Sequence, residues 1–455
     1  MSIKMAKPGT LVLLFFFWLW WAAAAPGTAG GAGGPLKTWT LEEAITRAME
    51  ASPQLLASRE AVAASEFKRK QAQTGFMPKL STEYNYTYVN NPPKATLTPQ
   101  DFGTFQIPAA TFSVGTQNNY SFNIGLEQPI FTGFALTTHY ELAQLGIDLS
   151  RIKYAQDQLN VSYQVKEAYF NFLGARKLKE VADQTVAQIT ESHRIIKNYY
   201  DVGLVPLNDL LKAEVQLADA KQKSNRAENA VYLAGSQFNT LLRLPMEGTL
   251  EVEDILDYRP FGKKLSECKQ EALAGRPEVQ ELNTRLESAE KTVQLAKSEY
   301  YPQIFLQGRY KKEGDGPEVS GSVVTHAENF EVLAGLKWNL WEWGRTHYLV
   351  QEKTKEKEQV KAALVQTRDA VELEVQRAFI NLREAERNIE VARKTIQSAE
   401  ENFRISEVRY REQVATSLEL FDAQTLLTQA QVNHYRALYD YNVSLAQLQK
   451  SMGLW

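Results

Sequence analysis

Side chains able to do covalent or metal chemistry are few in this sequence, and their spacing suits them to none of it. Five histidines, His139, His193, His326, His347 and His434, are scattered, and none falls into an H-E-x-x-H or a His/Cys ligand spacing. No G-x-S-x-G elbow, phosphate loop or dinucleotide fingerprint occurs; Gly30, Gly31, Gly33 and Gly34 belong to a Gly/Pro-rich spacer. The expectation is no enzyme, no cofactor and no metal site, dispersed carboxylates being the form of catalysis that motifs do not reveal. A single cysteine, Cys268, excludes an internal disulfide framework. The formal net charge is −3, and no basic block or aromatic-interleaved basic stripe is present, so nucleic acid is not an expected partner. The acids of interest sit where helices begin. Thr416-x-x-Glu419 is a capping box, and Asp209 also lies in a first turn, where the helix dipole favours negative charge.

The element that must position these acids is a very long helix. From Arg345 to Met452 there is no glycine and no proline. Val375, Ala378, Leu382, Ala385, Ile389, Ala392, Ile396, Ala399 and Phe403 alternate three-four spacing, which is a coiled-coil period. A helix over 346–412 would span roughly 100 Å at ~1.5 Å per residue. An ordinary globular core does not hold such an element, since its helices average only ~11–12 residues.

The N-terminus predicts the compartment. Lys4 and Lys7 precede an apolar run from Leu11 to Trp21 and then Ala22–Ala25, the layout of a secretory signal over 1–25, with a spacer over 26–38. The run falls short of the ~20 residues that a retained transmembrane anchor needs. No later segment is apolar enough for a spanning helix, so a membrane-embedded form of this chain must use strands.

The mature chain is a tandem repeat, covering 39–244 and 264–455 with an equatorial linker over 245–263 between them. Leu41, Ala48, Pro53, Ala72 and Pro78 match Leu265, Ala272, Pro277, Ala296 and Pro302 at one constant offset. After a shift, Tyr200, Leu210, Ala213 and Leu217 match Tyr410, Leu420, Ala423 and Leu427. Each repeat opens with short helices, Thr40 and Glu43 forming a capping box and Pro53 starting a second helix to about Thr74. Two stretches per repeat then alternate with period two, over about 79–90 and 118–130 and over about 302–312 and 330–340. Leu80, Tyr84 and Tyr86 oppose Ser81, Glu83 and Asn85; Ile304, Leu306 and Tyr310 oppose Gln307, Arg309 and Lys311. Apolar-out, polar-in strands of about ten residues suit a lipid-facing barrel, or else a half-buried sheet on a soluble core. Four strands cannot close a membrane barrel, which takes at least ~8, so several chains must contribute; three would supply twelve.

Long helices over about 136–200 and 346–412 follow the strands. The first ends at Val202-Gly203-Leu204, where glycine permits a left-handed turn and Pro206 starts a returning helix to about Leu242. The matching second turn is Val414-Ala415-Thr416, and its returning helix runs from Leu418 to about Ser451. The short helices starting at Pro53 and Pro277 have the length needed to stack end to end on the returning helices.

This duplicated plan, the Phe131-Thr132-Gly133 strand exit and the Tyr200-Asp201-Val202-Gly203-Leu204 turn resemble the TolC-type outer-membrane efflux duct family over essentially the whole mature chain. The resemblance implies a mixed α and β membrane protein: a homotrimer with a twelve-strand barrel in outer-membrane lipid of a Gram-negative bacterium, continuous with a twelve-helix periplasmic tunnel. It also implies an exit duct for an inner-membrane transporter of RND or ABC type, joined through a periplasmic adaptor (membrane fusion protein). Carried over by motif, Asp209 and Tyr410 match a pair that hydrogen-bonds between helix pairs, and Glu419 and Asp422 match two acidic positions ringing the narrowest point. Ala415 and Asn208 stand where some members form a second link, and Gln413 replaces the glycine of the second turn. Small, apolar residues at the turns, Val202, Gly203, Leu204, Val414, Ala415 and Thr416, are the expected adaptor-docking surface. A non-conducting trimeric scaffold would account for the long helices but not for the amphipathic strands.

Overall fold

The computed structural model describes residues 37–101, 103–322 and 325–455. The expected signal peptide lies outside the described residues, as does the spacer except for Lys37 and Thr38. Thr38 does not end a spacer but starts a strand, β1 (Thr38–Trp39). The chain continues through α1 (Leu41–Ala51), capped by Thr40 and Glu43, α2 (Pro53–Thr74) and β2 (Lys79–Tyr88). A nested pair of hairpins follows, β3 (Lys94–Leu97) with β6 (Ala110–Ser113) enclosing β4 (Gln100–Asp101) with β5 (Gln106–Ile107). Then come β7 (Asn118–Phe131), α3 (Ala135–Asp201) and α4 (Leu207–Leu242). The linker carries β8 (Glu251–Val252), and the second repeat comprises α5 (Leu265–Gly275), α6 (Pro277–Lys297), β9 (Gln303–Gly314), β10 (Glu328–Lys337), α7 (Arg345–Arg411) and α8 (Ser417–Ser451). The nested hairpins and the parallel β1–β8 pair were not legible from the period-two pattern, because strands of two to four residues are too short to show it.

Four strands form one antiparallel sheet in the order β10-β9-β7-β2. Its register puts the expected apolar residues in common rows: Leu80 faces Leu126, Leu126 faces Gly308 and Gly308 faces Val332, while Ile124 faces Tyr310 and Tyr310 faces Phe330. That face is exposed, with Leu80, Phe330, Val332 and Leu336 each more than 60% accessible. The outer edges of β2 and β10 pair with no strand among the described residues. β10 ends at Lys337 rather than near 340, because its partner Gln303 is preceded by Pro302, which has no N–H to extend the ladder. Trp338 instead donates its indole N–H to the Tyr300 carbonyl.

The helices are as long as the pattern required, 67 residues each for α3 and α7 against 36 and 35 for α4 and α8. Along α7 the seam residues from Val375 to Ile389 are all nearly inaccessible. α2 lies on the first half of α3, held by Gln54 and Ser58 to Asp157 and by Ser65 to Ser150. α4 covers the second half and ends with Thr240 and Leu241 beside Gln164, just beyond where α2 begins, so the two short helices share α3 in tandem. The main core lies around this junction, where Tyr169, Phe238, Leu382 and Tyr441 are buried. The equatorial linker is pinned there by its backbone: Tyr169 Oη donates to the carbonyls of Trp39 and Glu253, and Asn442 Nδ2 to that of Asp257. Among the described residues no helix is long and apolar enough to cross a membrane.

Candidate functional site: helix tips and barrel wall

The two helix tips close with the same backbone pattern. Leu204 N–H bonds Tyr199 O at 2.8 Å and Val414 N–H bonds Arg409 O at 2.9 Å, each a six-to-one closure around a left-handed residue. That residue is Gly203 (φ 79°) in the first turn and Gln413 (φ 61°) in the second. A small cluster of Ile196, Leu210, Ala213, Tyr410, Leu420 and Phe421 packs the helices together just behind them. Val202, Leu204 and Val414 project outward, and a Cβ on Gly203 would meet open space. Ala415 differs from expectation, being half-buried against the cluster, and Thr416 is occupied as the N-cap of α8.

The four expected gate residues separate into distinct environments. Asp209 Oδ1 sits 3.8 Å from Lys212 Nζ on its own helix. Tyr410 Oη is buried and has no hydrogen-bond partner among the described residues, so the Asp209–Tyr410 bond implied by the family pattern is not formed. Burial, followed by the nearby Asp209 charge, pushes the Tyr410 phenol up to about 12. Glu419 closes its capping box, its N–H on Thr416 Oγ1 at 3.2 Å, and its Oε2 lies 3.7 Å from Arg409 Nη1. Asp422, one turn on, is exposed and has neither an ion pair nor a hydrogen bond among the described residues.

Two contributors were missed. Tyr199 Oη donates to the Arg411 carbonyl at 2.9 Å, tying α3 to the end of α7. Arg409 Nη2 donates to Val414 O at 3.4 Å while its other arm faces Glu419. Tyr199 and Arg409 occupy equivalent places in the two repeats, so asking which repeat positions carry long polar side chains beside a turn would have found both. Farther from the turns, α3 and α8 meet through a polar layer, Gln424 to Gln188 at 2.7 Å and Thr185 to Thr428 at 3.1 Å.

At the other end the sheet's second face is charged and balanced. Lys79 faces Glu127 and Arg309 faces Glu331 across the ladder, and Lys311 Nζ lies 2.5 Å from Glu313 Oε1. Glu83 and Lys337 share that face. Phe305 and Leu333 are its large apolar exceptions, Phe305 lying over Gly335, where any Cβ would clash with the ring.

A sheet with one lipid-compatible face, joined to helices too long for any globule, is matched along nearly the whole chain by one family model, outer membrane efflux protein, over residues 44–242 and 269–454. The chain belongs to that family. As an outer membrane efflux protein it places its strands in the outer membrane and its helices in the periplasm. It is 23% identical to outer membrane protein TolC of Vibrio cholerae serotype O1, over 82% of this chain and 90% of the relative. It is also 23% identical to the pyoverdine export outer membrane protein OpmQ of Pseudomonas putida, over 78% and 73% respectively. The alkaline protease secretion protein AprF of Pseudomonas aeruginosa is 22% identical, over 90% and 83%. Among solved structures, CusC superposes with a TM-score of 0.76 at 14% identity, covering 92% of this chain and 93% of that one. The CmeC outer membrane channel of Campylobacter jejuni gives 0.74 at 16% identity, covering 91% and 85%.

Proposed function

We propose that three copies of this chain close into a passive exit duct, the outer-membrane part of a tripartite efflux or type I secretion system. The observation that carries this reading is the four-stranded sheet with two open edges, lipid-compatible outside and charged inside. Open edges in hydrocarbon leave backbone groups unpaired at several kcal/mol each, a cost that neighbouring copies remove by pairing β2 with β10. Relatives named for pyoverdine export and for alkaline protease secretion support an export role and leave the cargo open between small molecules and polypeptides. A periplasmic adaptor docks on the turns, using Val202, Gly203, Leu204 and Val414, with Ala415 and Thr416 shaping the second turn, and connects the duct to an inner-membrane transporter of RND or ABC type. Asp209, Glu419 and Asp422 set the charge of the periplasmic mouth, and Tyr410 packs the helices together behind the turns. The deciding experiment is conductance of purified trimer in planar bilayers. Stable single-channel steps are expected; a folded, inserted trimer that never conducts would instead be the non-conducting scaffold.

A further inference from the structure

A cavity of about 560 Å³, open on one side, lies where α3, α4 and α8 meet. Helices ordinarily close up over small residues. Here Gly174, Ala175, Ala227, Ala230 and Ala234 leave room between them, and Leu178, Leu233 and Tyr439 complete an apolar wall. The charged lining is Arg226 and Arg436, with no acid. Neither arginine forms an ion pair or a hydrogen bond among the described residues. Glu167 lies in the adjoining space, where Tyr163 donates to it at 3.2 Å. We propose that this cavity binds amphipathic anions in transit, holding an aromatic or aliphatic body against its apolar wall and a carboxylate or sulfonate facing Arg226 and Arg436. This rests on the duct reading above and names a cargo class for it.

The cavity opens on the face of the helices turned away from the linker. Tyr169 of α3 donates to the Glu253 carbonyl, Asn239 of α4 to that of Gly248 and Tyr441 of α8 to that of Arg259, so all three helices turn one side to the linker. Asn171, Gln237 and Tyr439 line the cavity. Each stands two residues from one of those three, about 200° round a helix of ~3.6 residues per turn. Three copies closing with their linkers inward would fill the bore with them. Linkers outward leave the cavity facing the bore, along which cargo passes. Its volume is that of a site for a drug-sized molecule, and an apolar wall with a few placed polar groups is how such sites are built.

The test is fluorescence titration of the full-length trimer in lipid nanodiscs with anilinonaphthalenesulfonate, an aromatic anion that brightens on leaving water, the signal of empty nanodiscs being subtracted. Saturable binding at one site per copy is expected. Arg226→Gln and Arg436→Gln should each weaken it by roughly threefold to fivefold, the worth of one exposed ion pair. Ala230→Trp, which fills the cavity, should abolish it. Lys221→Gln removes a charge from α4 outside the cavity and should keep the wild-type affinity. Phenylnaphthylamine, the same rings without the sulfonate, should not distinguish the arginine variants from wild type. In planar bilayers the sulfonate should lower the mean current through wild type and not through the Ala230→Trp variant. Absence of saturable binding, or equal binding by wild type and the Ala230→Trp variant, would overturn the site. Binding with no effect on the current would put the cavity outside the bore and overturn the cargo assignment. A trimer that binds the sulfonate but never conducts overturns the duct reading instead.

Discussion

At the scale of single residues, the two left-handed turn positions make a controlled pair. Gly203 holds φ 79° at no steric cost, whereas Gln413 holds φ 61° with a side chain. Gly203→Ala adds roughly 1 kcal/mol of left-handed strain and Gln413→Gly relieves a similar amount. The expected outcome is a lower and a higher midpoint, respectively, in thermal unfolding followed by circular dichroism; equal midpoints would mean the turns relax freely. Tyr410 and Tyr199 make a second pair. The Tyr410 hydroxyl is buried with no hydrogen-bond partner among the described residues, so Tyr410→Phe should be neutral or stabilise by about 1 kcal/mol and leave channel opening unchanged. Tyr199→Phe removes the bond to the Arg411 carbonyl and should raise the open fraction in single-channel records. The opposite ranking would restore Tyr410 as the latch that family resemblance suggests.

At the scale of elements, α2 depends on one buried acid. Burial alone would push the Asp157 carboxyl up, but hydrogen bonds from Ser58 and Gln54, with help from Lys153, outweigh it and hold it below its ordinary value of 3.8. A depressed carboxyl stabilises the fold above its unfolded pKa and loses that contribution as pH falls through the folded value. Protection of α2 amides in hydrogen exchange should therefore fall away below about pH 4, and Asp157→Asn should flatten that dependence. Helix existence and ends were legible in the sequence because apolar spacing, Pro53, Pro277 and the Gly203 turn are local signals. The four long strands were legible because one face is apolar over most of its length, down to the Lys312–Glu328 pair at its end. What the sequence hid was pairwise: whether Tyr410 meets Asp209, and what Arg409 meets, depends on which rotamers the packed tip allows. The short β1–β8 pair was hidden for a related reason, since it exists only where the linker is held to α3 by Tyr169.

At the scale of the whole molecule, edge pairing decides the assembly. The protein is expected to run as a trimer in detergent by light scattering, and a monodisperse monomer with native circular dichroism would refute closure by three copies. Replacing Leu204 with Glu should abolish export and leave trimer and insertion intact; unchanged export would remove the turn from the docking surface.

The shared closure of the two turns has a consequence for counting. Each copy presents two tips alike in backbone and unlike in side chain, glycine in one and glutamine with a neighbouring arginine in the other. Three copies therefore present six sites by shape but only three of each kind by composition. A bound partner counted at six per duct recognises the fold of the turn, and one counted at three recognises its residues, so stoichiometry measured by native mass spectrometry reports what the duplication has kept.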